Sequence, residues 1–283
     1  MMDTLSPDPP PAEGARSAPR PAPLPIQSRF PPVPMRILLP NLLTLLALCL
    51  GLTAMRFALE GRFETAVIAI VISAVLDGLD GRLARALKGT SRFGAELDSL
   101  ADFVDFGVAP AFVLYTASLY QIKSLGWFAA MVFAVAAALR LARFNVAIDD
   151  ASRPSWMANF FVGMPAPAGA VVGLLPIYVH GLGLPYDRAF VPIETAYVLF
   201  VAFLMASRIP HFSGKHIGRV PREMVLLVLF AVAAIILLVA TFPMEMLVAM
   251  TLAYLCTIPF GVRYYRALAR TSPQGSARET PAV

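Results

Sequence analysis

An all-α, polytopic membrane bundle of about eight transmembrane helices is the fold class this sequence predicts, and three observations predict it. The 283 residues are 58% hydrophobic and only 14% charged, with a mean hydropathy of +0.70. A soluble domain carries roughly 45–50% apolar and roughly 25% charged residues. Apolar runs of the length that crosses a bilayer, about 20 residues, recur from residue 37 to residue 268. Lysine and arginine, finally, gather in alternate connections between those runs. So little polar surface cannot cover a water-soluble core, which excludes an ordinary soluble enzyme. So much apolar side chain also excludes a chain disordered throughout.

Residues 1–34 hold 11 of the 25 prolines and no apolar run, and are expected to form a disordered, proline-rich tail. No short apolar stretch with a small-residue cleavage site occurs there, so a signal peptide is not expected. A membrane domain is expected over 35–270, followed by a disordered tail over 271–283. Its spans are read as 37–59, 63–87, 92–120, 125–146, 164–182, 193–209, 223–241 and 244–268. Pro176, Pro185 and Pro192 interrupt the fifth and sixth. The second and third carry aspartates and arginines where plain spans would carry leucine. Cys49 and Cys256 have apolar neighbours and no metal-ligand spacing, and read as small buried hydrophobes.

Orientation follows from the basic residues. With eight spans both termini lie on one side, and 19 of the 23 lysines and arginines fall there. Only Arg56, Arg62, Lys123 and Arg188 fall on the other. The basic side, which also carries the aspartates, is predicted to face the cytoplasm, in the cell (inner) membrane. The net charge of +5 is spread along that membrane surface, which argues against a nucleic-acid partner.

The chemistry sits in Asp77-Gly78-Leu79-Asp80-Gly81-Arg82-Leu83-Ala84-Arg85, followed by Gly94, Asp98 and Asp102. At about 100° per residue, Asp77, Gly81 and Ala84 share one stripe of a helix, with Asp80 beside it. Gly94, Asp98 and Asp102 recur every four residues and share a face of the next. Lys88-Gly89-Thr90-Ser91 offers a glycine break between them. Two antiparallel helices then aim four carboxylates into one cleft. Beside a bilayer such a cluster calls for cations, and hard oxygen donors select Mg²⁺, Mn²⁺ or Ca²⁺ over zinc. Gly81 and Ala84 leave room for a ligand against the helix, and Arg85 adds a fixed cation suited to a diphosphate. The bland alternative is interhelical salt bridging among these acids and arginines. An EF-hand lacks its alternating acids and closing glutamate. His211 and His216 lack further ligands for zinc and are placed in a basic loop near lipid headgroups.

These residues resemble, position for position, the signature of the CDP-alcohol phosphatidyltransferases, with eight fixed positions spread over 26 residues. Pro40-Asn41-Leu42-Leu43-Thr44 in the first span is similar to that family's nucleotide-contacting helix. Glu96-Leu97-Asp98, Phe106-Gly107-Val108-Ala109-Pro110, Arg140-Leu141-Ala142-Arg143-Phe144-Asn145, Gly163-Met164-Pro165-Ala166-Pro167 and Ser207-Arg208 to Phe212 most resemble its serine-using branch. Asp105 departs from the serine expected there, and lies on the face of Asp98 and Asp102.

The resemblance covers about residues 37–268 and implies a six-helix core, here with two further helices. It implies transfer of the phosphatidyl group from CDP-diacylglycerol to a small alcohol, releasing CMP, by a homodimer among membrane phospholipids. It assigns Asp77, Asp80, Asp98 and Asp102 to a site for Mg²⁺ or Mn²⁺, with two ions expected. Asp102 would also be the general base. Asn41, Thr44, Gly81, Ala84, Arg85 and Ser91 would contact CDP-diacylglycerol. L-serine is the preferred acceptor, because Arg140, Arg143 and Asn145 end the fourth span on the active-site side and suit a carboxylate. Choline, glycerol 3-phosphate, inositol or inositol phosphate are the rival acceptors. A cation-coupled transporter is the rival from another class, although its acids would sit near the midplane, often in repeated halves.

Overall fold

The structure is a computed structural model that describes residues 35–148, 160–207, 209–212 and 224–271. The expected tail over 1–34 lies outside the described residues, as do Arg153, Arg208, His216 and residues 272–283. Ten α-helices follow in order among the described residues. They are α1 (Met35–Leu59), α2 (Phe63–Ala86), α3 (Arg92–Phe103), α4 (Ala109–Ala117) and α5 (Ser124–Ile148), then α6 (Ala166–Gly173), α7 (Leu175–Gly181), α8 (Val191–Ala206), α9 (Val225–Thr241) and α10 (Pro243–Thr271). A π-turn, Val104–Val108, joins α3 to α4, so the two run on as one rod.

Small residues decide the packing of α1. Its buried positions are Pro40, Thr44, Ala47, Gly51, Ala54 and Ala58, spaced by three or four so that they form one stripe. Leu38, Leu42, Leu45, Leu46 and Leu52 point outward and are exposed. Large apolar groups outside and small ones inside is the arrangement of a helix in lipid, where close backbone approach drives association. α2 answers with Ala66, Val67, Ile70 and Ser73, all without solvent contact. Behind this pair the core continues through Phe106, Leu114, Phe133, Met164, Tyr178 and Met205.

Four rods are long and apolar enough to cross a membrane: Met35–Leu59, Arg92–Ala117, Ser124–Ala147 and Pro243–Arg263. α2 has the length but carries Asp77, Asp80, Arg82 and Arg85 in its second half. Ala166–Gly181, Val191–Ala206 and Val225–Thr241 are apolar but shorter. All eight expected spans therefore coincide with helices, and four of them meet the length and hydropathy of a crossing.

Three local expectations change. The sixth span was expected to reach residue 209, but α8 stops at Ala206 with Ser207 extended. The chain then forms a two-stranded antiparallel pair, β1 (Phe160–Val162) with β2 (Pro210–Phe212), with Phe161 opposite His211. Three-residue strands are too short to show a period of two in a sequence. α10 runs one residue into the stretch expected to be a tail. Cys49 and Cys256 are both exposed rather than buried, because apolar neighbours in a membrane helix mark the lipid face as readily as the core.

Candidate active site

α2 and α3 form a tight helical hairpin, and its turn is specified locally. Lys88 takes the left-handed conformation, φ 50°, and its N–H donates to the Arg85 carbonyl (3.3 Å). The Gly89 N–H donates to the Ala84 carbonyl (3.0 Å), which completes a Schellman closure of α2. The glycine break expected here thus has another purpose. Gly89 is buried against α1, and a Cβ on it would collide with the Arg36 carbonyl. Ser91 caps α3, its Oγ accepting from the Gly94 N–H at 3.0 Å.

That hairpin brings together Asp77, Asp98 and Asp102, whose carboxylate oxygens lie within 4.8 Å of one another. Asp77 on α2 and Asp102 on α3 thus face each other across the hairpin. Two oxygens on one divalent cation, each at about 2.0–2.6 Å, are at most about 4–5 Å apart. The cluster therefore fits a single hard cation as it stands. All three side chains are half-buried rather than sealed.

Asp80 stands apart from this trio. It is 4% exposed and its Oδ2 accepts from Thr44 Oγ at 2.6 Å, which ties α2 to α1. Its charge still acts on Asp77 and Asp98. Asn41 sits one turn before Thr44 on α1 and faces α3. A Cβ on Gly94 would lie 2.8 Å from Asn41 Oδ1, so glycine is what lets the two helices meet there. Arg85 is exposed, with a guanidinium nitrogen 3.6 Å from where a Gly81 Cβ would be. Apart from the Arg85 guanidinium, no other group among the described residues lies within 4 Å of that position. Among the described residues none of the four aspartates makes an ion pair within 4.0 Å; those present are Arg56–Glu60, Arg62–Glu60 and His180–Glu194. Simple salt bridging does not account for the acids.

Of the three acceptor candidates, one reaches this cluster. Arg140 is 8% exposed, has its guanidinium 5.0 Å from the Phe144 ring centroid, and is near enough for its charge to act on Asp102, Asp77 and Tyr254. Arg143 is exposed and its Nε donates to the Leu139 carbonyl of its own helix at 3.2 Å. Asn145 is exposed and its Nδ2 donates to Ser99 Oγ at 3.0 Å, beside Asp98 in sequence but on another face.

Two contributors were missed. Tyr254 comes from α10 and has no local sequence signal. Ser73 lies four residues before Asp77 on the same face and hydrogen-bonds Asp105; its i,i+4 spacing was the available signal.

The profile of the CDP-alcohol phosphatidyltransferase family matches residues 37–206, which includes α1 from its third residue, α2 to α8, and all four aspartates with Arg85 and Arg140. The chain belongs to the CDP-alcohol phosphatidyltransferase family. It is 43% identical over 240 residues to a CDP-diacylglycerol–serine O-phosphatidyltransferase of Mycobacterium leprae, covering 82% of this chain and 77% of that one. The protein of that name from Mycobacterium tuberculosis H37Rv is 43% identical over 238 residues, covering 82% and 81%. The one from Helicobacter pylori 26695 is 34% identical over 190 residues, covering 66% and 76%.

Proposed function

We propose that the protein transfers the phosphatidyl group of CDP-diacylglycerol to L-serine, giving phosphatidylserine and CMP. One observation carries the reading: three carboxylates within 4.8 Å, on a hairpin with Arg85 over an open glycine and Arg140 buried behind the acids. The similarity to proteins named for serine transfer supports the choice of acceptor.

Asp77, Asp98 and Asp102, with Asp80 alongside, would hold Mg²⁺ or Mn²⁺, in one or two ions. A bound divalent cation would neutralise the diphosphate and the developing charge on the leaving CMP. Arg85, Gly81, Ala84, Asn41, Thr44 and Ser91 would seat the donor. Ser91 does so while capping α3, so its hydroxyl serves mainly to hold the hairpin. Asp102 takes the proton of the serine hydroxyl as that oxygen attacks the phosphorus of the phosphatidyl group. The phosphorus–oxygen bond to CMP breaks, and the electron pair leaves with CMP. Arg140 would receive the serine carboxylate, while Arg143 and Asn145 are engaged elsewhere, with the Leu139 carbonyl and Ser99. The surrounding membrane domain spans 35–270 with eight crossings and tails over 1–34 and 271–283. It works as a homodimer in the inner membrane with the cleft open to the cytoplasm, as the 19 basic residues on that side favour.

The test is turnover of purified protein with CDP-diacylglycerol against serine, choline, glycerol 3-phosphate, inositol and inositol phosphate, read as CMP release. Serine should give the highest kcat/KM. Preference for another alcohol overturns the acceptor, and absence of CMP release with any of them overturns the reaction.

A further inference from the structure

Asp105 has no part in the chemistry above, yet the structure builds three helices around it. It is 1% exposed and lies in the π-turn that continues α3, one turn below Asp102. Its Oδ2 accepts from Ser73 Oγ at 2.6 Å, and Ser73 has no solvent contact. Its Oδ1 fills a notch at Gly51 of α1, where a Cβ would collide with it. Oδ1 has no hydrogen-bond partner. A buried polar atom left unsatisfied destabilises a fold, so packing alone does not explain an aspartate here.

The placement explains it. Ser73 and Asp77 are four residues apart on α2, and Asp102 and Asp105 are three apart on the rod that runs antiparallel to it. The hairpin therefore has two levels, Asp77 beside Asp102 and, about one turn deeper, Ser73 hydrogen-bonded to Asp105. The upper level consists of the residues read above as cation ligands. A pair of carboxylates cannot hold its own spacing, because the two charges repel once ionised. The lower level joins a hydroxyl donor to a carboxylate acceptor and has no such conflict. π-turns inside α-helices often occur at functional sites, and Asp105 lies in this one, on Ser73.

We infer that Asp105 is a positioning residue: with Ser73, and seated on Gly51, it fixes the separation of α2 and α3 at which Asp77, Asp98 and Asp102 share one cation. The inference rests on the metal reading of that trio. Groups that orient ligating side chains typically contribute about 10–100-fold to metal affinity.

The test is Mn²⁺ binding to purified protein, followed by the electron paramagnetic resonance signal of free Mn²⁺ and needing no turnover. Asp105→Ala and Ser73→Ala should each weaken Mn²⁺ binding about 10-fold, and the double variant should be no weaker than either single one, since both remove one contact. Asp105→Asn keeps an acceptor oxygen toward Ser73 and should bind within about 2-fold of wild type. Half-activating Mn²⁺ should rise in step, while the KM for CDP-diacylglycerol at saturating Mn²⁺ stays within about 2-fold. Should Asp105→Ala fail to fold, Ser73→Ala removes the same contact from the other side for the loss of one hydroxyl, and decides. Wild-type affinity in both alanine variants overturns the inference, as does an asparagine variant no better than alanine. A wild-type protein that binds no Mn²⁺ overturns the metal reading itself, which separates the two failures.

Discussion

Replacing Arg140 tests the acceptor assignment more sharply than any other change, because the structure gives Arg140 and Arg143 opposite surroundings on one helix. Arg140 is 8% exposed and within electrostatic range of Asp77 and Asp102, whereas Arg143 is exposed and bonded to its own backbone. A charge-assisted hydrogen bond contributes about 1.5–3 kcal/mol, or roughly 10- to 150-fold in affinity. Arg140→Ala is therefore expected to raise the serine KM by that factor, with the CDP-diacylglycerol KM little changed. Arg143→Ala should leave both within about 2-fold, since an exposed side chain on its own carbonyl contributes little. Arg140→Lys should rescue only in part, because an ammonium lacks the bidentate fork and the planar guanidinium over Phe144. The assay is initial-rate CMP release with each substrate varied at saturating levels of the other. Equal loss toward both substrates, or full rescue by lysine, would refute the acceptor role and leave Arg140 as a counter-charge for the aspartates. A larger effect from Arg143 than from Arg140 would refute the assignment of the cleft.

Three further outcomes follow from the same geometry. Chelation should abolish CMP release and Mg²⁺ or Mn²⁺ should restore it, and Asp77→Asn or Asp98→Asn should lose that restoration while remaining folded by circular dichroism. Asp102→Asn should lower kcat by about 10²–10⁴-fold, the usual contribution of a general base, with donor binding retained in an equilibrium assay; near-normal turnover removes the base role. Gly89→Ala should lower the thermal midpoint of the purified protein, because its Cβ meets the Arg36 backbone rather than a movable side chain; an unchanged midpoint would mean the α1 start is free to move.

The aspartate trio was legible in the sequence because helical period brings its members onto facing sides of two helices. Residues four apart share a face whatever surrounds them, so Asp98 and Asp102 had to point together, and one turn returned them to Asp77. Asp80 shows where that logic stops. Its offset of three residues turns it toward α1, and only the tertiary contact with Thr44 takes its oxygen. Arg140, Arg143 and Asn145 read as one group because they are neighbours in sequence. On a helix Asn145 lies about 140° from Arg140, so a single pocket does not receive both. Lys88 in the left-handed position and Gly89 at a contact reversed the expected turn chemistry, since a glycine signals equally a free φ and a close approach. Asp105 stood out only as a departure from the resembled pattern. Periodicity put it on the face of Asp98 and Asp102, but its partner, Ser73, comes from the facing helix.

The burial pattern of α1 explains why so charged a site is held at the end of membrane helices. A metal cleft needs its ligands placed to within a fraction of an ångström, and lipid offers no hydrophobic force to clamp helices together. The clamp here is contact. Thr44, Ala47, Ala54 and Ala58 form the buried stripe of α1 and Gly51 receives Asp105, while Gly89 and Gly94 bring the hairpin against Arg36 and Asn41. Enlarging any of these small residues pushes α1 outward and draws Thr44 from Asp80, so their effects belong to the cleft even at positions well removed from it. Large-for-small substitution at Ala54, two to three turns from Thr44, separates the two explanations. If α1 acts as a rigid clamp, Ala54→Leu should raise the half-activating Mn²⁺ concentration as well as lower stability. If stability falls and metal activation does not move, the cleft is held by the hairpin alone.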